Sequence, residues 1–175
     1  IKYAENDQWD AIISGIIEKV ENLQKCGCDF GVIASNTPHR VFNEIADQTS
    51  LPLISIVETT CDYANQNSLN KLCLMGTKFT MSSDFYQKVF DKKNIELIVP
   101  DEKAQDYIQE KLFTEIEFGI IKDETRERLI SIYNRIINDQ KVEGLVLGCT
   151  ELPLILKPEN IGGVYIDPVT LHIEK

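Results

Sequence analysis

The sequence has no apolar run approaching the roughly 18 residues of a membrane span, and no stretch reads as a secretory signal peptide. It also has no Gly-x-Gly-x-x-Gly after a strand-like run and no Walker-type glycine loop with a lysine, which disfavours a nucleotide site. Positive charge is scarce. Eighteen Lys and Arg face 28 Asp and Glu, for a formal net charge of -10. A nucleic acid or an anionic membrane surface needs a basic face, so neither is an expected partner. Histidine is rare, with two residues. No second Cys/His pair lies near Cys26-Gly27-Cys28, so the spacing of a zinc site is not met and no metal is expected. Disorder is also disfavoured over most of the chain, because 43% of its residues are hydrophobic and 26% charged. The 175 residues suffice for one domain or two small ones. The five cysteines are odd in number, and three lie in or beside apolar runs. That usage fits the reduced thiols of a cytoplasmic protein better than disulfides.

What is present is an alternation. Trp9, Ile12, Ile13, Ile16, Ile17, Val20 and Leu23 recur at helical spacing, with Asp7 as the expected N-cap and Gly27 as the stop. Apolar runs predict strands at 30–34, 51–57, 72–75, 95–99, 144–148 and 164–166. Helices are predicted at about 38–48, where Pro38 suits a first turn, and at 59–67 and 83–93 with Ser82 or Ser83 as cap. Two more cover 101–118 and 122–140, separated by Gly119, and Thr170 opens a last one. The first helix signal comes within ten residues of Ile1 with no strand before it, which predicts that an N-terminal piece is missing. Alternating strands and helices predict parallel sheets covered by helices on both faces.

In such sheets ligands bind beyond the carboxyl ends of the strands. Those ends carry Ser35-Asn36-Thr37, Thr77 with Thr80, Cys149-Thr150-Glu151, and Asp167. All are short, polar and near an expected helix start, where backbone N–H groups hold a carboxylate or phosphate. Two segments are alike: Val32-Ile33-Ala34-Ser35 and Val146-Leu147-Gly148-Cys149 each end in a small hydroxyl or thiol residue with a Thr close behind. The likeness points to two half-sites facing each other, which suits one reactive group on each face of a substrate. Composition alone makes Cys149 a core residue. Its place at a strand end makes it a candidate nucleophile or base, with neighbouring amides expected to lower its pKa from the usual ~8.5. Cys26, Cys28, Cys61 and Cys73 lack that setting and read as structural. His39 and His172 read as packed or solvated side chains. Glu151 is either an exposed carboxylate or a group that orients a substrate ammonium or the thiol.

At these strand ends the sequence resembles the aspartate/glutamate racemase family. The resemblance rests on Ala34-Ser35-Asn36-Thr37-Pro38-His39, on Gly76-Thr77-Lys78-Phe79-Thr80-Met81 with Phe85-Tyr86, and on Leu147-Gly148-Cys149-Thr150-Glu151-Leu152-Pro153. Asp167 through His172 is similar to the family's terminal Asp-Thr-x-x-His, with Pro168 as a departure. The resemblance implies two similar α/β/α domains with mainly parallel sheets and the site in the cleft between them. The first domain would comprise 1–51 plus 164–175 and the second 52–163. An upstream strand and a Gly-Gly-Met-type loop would complete the first. It also implies racemisation of aspartate, glutamate or both without any cofactor, pyridoxal phosphate included. One cysteine removes the Cα proton from one face and the other protonates the opposite face. Cys149 fills the second catalytic position. Ser35 stands at the first, and a broad-specificity bacterial branch of the family carries a hydroxyl residue there. Asn36, Thr37, Thr77, Thr80, Thr150 and Glu151 would bind substrate. A homodimer is in keeping with the family. The serine also leaves room for a related one-cysteine decarboxylase or cis–trans isomerase, or for an acidic amino acid binder without chemistry.

Overall fold

A computed structural model describes residues 6–175 of the chain. Its first helix, α1 (Trp9–Lys25), ends in a Schellman turn. Gly27 takes φ +82°, Gly27 N–H donates to Gln24 O at 2.9 Å, and Cys28 N–H to Leu23 O at 3.2 Å. The Cys-Gly-Cys spacing is thus explained by the glycine that the left-handed turn requires. Asp7 does not cap this helix. Gln8 holds the cap position, and the Asp7 carboxylate accepts from the Trp9 indole at 2.6 Å. The Ile12–Ile17 stripe is half-buried and α1 rests on α2 (Phe42–Ala46), which follows a 3-10 turn at Thr37–Val41.

Two parallel sheets organise the chain. In the smaller, β1 (Gly31–Val32) pairs with β2 (Leu53–Ile54). Both strands are shorter than the apolar runs predict. Phe30 and Val32 stay 57% and 47% exposed, so this run is not a buried strand. The 51–57 run divides because Ser55 caps α3 (Ile56–Gln66), its hydroxyl accepting from Glu58 N at 3.2 Å. Local capping overrides the strand preference of Ile56 and Val57.

The larger sheet has the order β4-β3-β5-β6, all parallel, from β3 (Lys71–Gly76), β4 (Glu96–Ile98), β5 (Gly144–Gly148) and β6 (Val164–Ile166). Beyond Lys71 at the start of β3, β3 and β5 are apolar because they are covered on both faces. Leu72, Leu74 and Val146 face α3 and α5 (Phe85–Asp91), among Ile56, Cys61, Tyr86 and Phe90. Cys73, Met75, Leu145 and Leu147 face α6 (Glu102–Thr114) and α7 (Asp123–Gln140), among Ile108, Leu112, Leu129 and Tyr133. This is the expected α/β/α layering. Glu143 ties the strand starts together, its carboxylate accepting from Asn70 N at 2.6 Å and Lys71 N at 2.8 Å.

The terminal segment is shared between the halves. β6 hydrogen-bonds to β5, so 164–166 joins the larger sheet rather than that of β1 and β2, against the expected return to the first domain. Its turn is built by Gly163 at φ +86° and by Val164 N–H donating to Glu143 O at 2.9 Å. The last helix, α9 (Pro168–Glu174), turns back. It packs on α3, and His172 Nε2 donates to the β2 carbonyl of Ile54 at 2.8 Å. Pro168 occupies the first turn of α9, where its missing N–H costs nothing, so its departure from the family pattern is compatible with the helix.

His39 is the second tie between the halves. Its Nδ1–H donates to Ser35 O at 2.8 Å, and its Nε2 accepts from Ile56 N–H at 3.1 Å. Both partners are backbone groups with fixed roles, so one neutral tautomer is selected. Burial, with a smaller push from neighbouring His172, lowers the His39 pKa to about 4. An unfolded histidine titrates near 6.5, so as pH falls below that value the unfolded chain gains a proton that the folded chain refuses. The contribution is intact above pH 6.5 and is lost down to about pH 4. Urea midpoints should therefore fall between pH 7 and pH 5 by the equivalent of about 2 kcal/mol from this group. The His39→Gln variant should lose most of that slope. An unchanged slope would show that His39 is not the group responsible.

Candidate active site

The carboxyl ends of β1, β3 and β5 converge on one small cavity of about 100 Å³. Such a volume is below the range of drug-sized sites and suits a small molecule. Ser35, Asn36 and Thr37 reach it from the segment after β1, and Thr77 and Thr80 from the segment after β3. Cys149, Thr150 and Glu151 reach it from the segment after β5. All eight residues expected at the site therefore line one space. Asp167 does not. It caps α9 instead, accepting from Val169 N at 3.0 Å and from the Thr170 hydroxyl at 2.9 Å.

Glycine makes the convergence possible. Gly76 and Gly148 are partners in the β3–β5 register. A Cβ on Gly76 would lie 2.8 Å from Gly148 O, closer than real contacts allow. Directly beyond Gly76, the Thr77 hydroxyl caps α4 (Lys78–Ser82), accepting from Thr80 N at 3.2 Å. The sequence pattern assigned no helix here, placing the next one behind Ser82 or Ser83. Capping brings the Thr77 and Thr80 hydroxyls within 3.0 Å of each other at the cavity wall.

On the Cys149 side the charges are negative. The buried thiol donates to Glu151 Oε2 at 2.9 Å, and the Thr150 hydroxyl donates to Glu151 Oε1 at 2.7 Å. Burial raises the Cys149 pKa well above the usual thiol range. The hydrogen bond to Glu151 and its charge raise it further, and the Glu117 charge adds a smaller push. The lowering expected from a strand end is overturned. The helix that follows, α8 (Leu152–Ile155), is a single turn, and the nearest full charges are carboxylates. Cys149 therefore rests as a thiol with its proton directed at Glu151.

Glu117 is the lining residue that the strand-end pattern misses. It sits on the 3-10 turn Ile116–Phe118 between α6 and α7, where no strand ends. Burial and the charge of Glu151 raise its pKa. Among the described residues, no group of three or more His, Cys, Asp and Glu side chains is arranged as a metal would require.

On the opposite side Ser35 is exposed, and its backbone is held by Ser35 N–H donating to Ile33 O at 2.8 Å and by the His39 bond to its carbonyl. Asn36 is 5% exposed. Its Oδ1 accepts from the hydroxyl of Tyr86, itself fully buried on α5, at 2.6 Å. Its Nδ2 has no partner among the described residues. A buried amide donor left unpaired costs about 1–3 kcal/mol, and Asn36 lines the cavity. His39 and His172 stay out of the lining and act as backbone ties.

This geometry has relatives. The chain is 30% identical over 155 residues to a glutamate racemase of Fusobacterium nucleatum, covering 86% of this chain and 56% of that protein. It is 29% identical over 147 residues to the broad specificity amino-acid racemase RacX of Bacillus subtilis, covering 84% of this chain and 63% of that protein. The chain thus spans less than two thirds of each of these two relatives. The crystal structure of an aspartate racemase homologue from Pyrococcus horikoshii superposes with a TM-score of 0.88 at 28% identity, over 98% of this chain and 75% of that one. The family model described as Asp/Glu/Hydantoin racemase matches residues 1–175. A match along the whole length, with the family's strand-end segments gathered around one cavity, means that the chain belongs to the Asp/Glu/Hydantoin racemase family.

Proposed function

We propose that the protein is a cofactor-independent racemase of aspartate, glutamate or both, with Cys149 and Ser35 as its proton-transfer residues. One observation carries the reading: a thiol hydrogen-bonded to a carboxylate and a serine hydroxyl, held by different sheets, share one small cavity. An amino acid Cα–H is a very weak acid, so the carbanion-like transition state needs electrostatic support and a positioned acid and base. In this reading the substrate α-carboxylate accepts from Asn36 Nδ2, from the Thr37 hydroxyl and from whichever of the paired Thr77 and Thr80 hydroxyls is free to donate, and Thr150 joins them by giving up its bond to Glu151. The ammonium is drawn to the Glu117 and Glu151 side.

Protons then balance as follows. A thiol at rest can protonate the carbanion, leaving a thiolate. In the opposite direction Glu151 accepts the thiol proton, and the thiolate so formed removes the Cα proton. Exchange with water then returns Cys149 and Glu151 to their resting states. Ser35 serves the other face and is open to solvent: as acid it protonates the carbanion and regains a proton from water, and as base it passes its own proton to water as it takes the one from Cα. Its hydroxyl is a poor base at neutral pH, so the two directions are expected to run at unequal rates. A reduced, cytoplasmic setting goes with this reading, because all five cysteines are free. Ser35 in place of a second thiol also favours a second reading, in which proton exchange occurs on the Cys149 face alone.

Incubating the full-length protein with L-aspartate and L-glutamate in D₂O separates the two. Chiral chromatography with mass detection should find deuterated D-product, reduced at least ~100-fold in Cys149→Ser. Label in recovered L-substrate alone would establish the one-sided reading, and no label at all would refute both. Alkylation of Cys149 by iodoacetamide should show an inflection above the usual thiol range, displaced to lower pH in Glu151→Gln. Burial, the largest cause, remains in that variant, so the return is partial. An inflection that does not move would remove Glu151 from the proton path. Tyr86→Phe should weaken kcat/KM by about 5- to 30-fold, the worth of one hydrogen bond holding Asn36. In an Asn36→Ala background the same change should have little further effect.

A further inference from the structure

A second cavity shares none of the lining of the first. It holds about 300 Å³ between the 3-10 turn and α2 on one side and α3 and α5 on the other. Its inner surface has an apolar part, where Phe42, Val57 and Phe85 are buried and Val89 partly so, beside the polar His39, Asn43 and Ser55. The His39 ring lies flat against Phe42, with centroids 5.1 Å apart and planes within 4°. Its rim is basic. Arg40, Lys88 and Lys92 line it and are exposed, against one carboxylate, Glu58. Three cations around one opening are notable in a chain of net charge -10.

The rim cations are available. The Arg40 guanidinium lies over the Trp9 ring, 4.5 Å from its centroid, and 5.9 Å from that of Phe79. Stacking holds the plane of the group and leaves its in-plane N–H donors free. Among the described residues neither Arg40 nor Lys92 forms an ion pair. Lys88 pairs with Asp84 at 2.8 Å, but both side chains are about two-thirds exposed or more. Such a surface pair is worth little and exchanges readily for a ligand.

We propose that this cavity is a binding site for a small organic anion: a phosphate or carboxylate head at Arg40, Lys88 and Lys92, carried on an apolar, flat body that fills the Phe42–Phe85 floor. The head supplies charge-assisted hydrogen bonds, and the body displaces water from apolar surface. Glu58 orients the ligand by repelling the head from its edge of the rim. The site has no part in the proton chemistry and stands whether or not racemisation is found. Its walls nevertheless include His39, which holds Ser35, and Phe85, which adjoins Tyr86.

Calorimetric titration of the full-length protein with phenyl phosphate and benzoate tests this, with inorganic phosphate and benzyl alcohol as the two halves of the ligand. The expected result is saturable one-to-one binding of at least one of the two aryl anions, weaker by about tenfold or more for either half alone. A Lys88→Ala/Lys92→Ala double variant, altered at two exposed positions, should fold normally by circular dichroism and lose about tenfold or more in affinity. Binding of phenyl phosphate alone would identify a phosphate site, and of benzoate alone a carboxylate site. Failure of both aryl anions to saturate, or affinity unchanged in a folded double variant, would overturn the proposal.

Discussion

The pairing of β3 with β5 is the contact on which the other features depend. Its register runs from Leu72 opposite Gly144 to Gly76 opposite Gly148. Because both strands are apolar on both faces, each helical layer has a core to pack on. Because both end in glycine at the same level, the next residues of each strand emerge side by side: Thr77 with its capped helix, and Cys149 with Thr150 and Glu151. A sheet edge would have served less well. Only the two central strands bring their polar ends together in a water-poor place, and the low exposure of Cys149 and Thr80 follows from that. Glu143, pinning the strand starts, fixes the register that sets the ends opposite each other.

The smaller sheet is joined to this frame by polar ties rather than by a large core. His39 connects Ser35 to the start of α3, His172 connects α9 to β2, and Tyr86 connects α5 to Asn36. Each is a buried side chain bonded to a group of the other half. Hydrogen bonds are directional, so such ties determine the relative position of two surfaces more closely than apolar contact alone. That matters where side chains of both halves line one small cavity.

Much of this was legible in the residues. Gly144–Gly148 and Val164–Ile166 stand as strands with the bounds that their apolar runs suggest. Their polar successors mark the site because parallel strands aim their carboxyl ends one way. Other features depend on what lies nearby in space. The Phe30–Ala34 run looks like a core strand, yet half its length faces outward in a two-stranded sheet. Val164–Ile166 shows no sign in its own residues of which sheet it joins. Glu117 lies on a helix connection and reaches the cavity only through the packing of α6 and α7. The sign of the Cys149 shift was beyond reach for the same reason. Glu151 is visible two positions on, but whether its carboxylate meets the thiol depends on the turn between them.

The protonated, enclosed state of Cys149 has a consequence for durability. Peroxide and other oxidants attack thiolates much faster than thiols, and accessible sulfur faster than buried sulfur. A cysteine held protonated and 6% exposed is accordingly slow to oxidise. Cys26 and Cys28, both on the surface at the end of α1, meet dissolved oxidants first. Chemical ageing of this protein would thus begin in a helix-terminating turn, while the sulfur of Cys149 stays reduced inside.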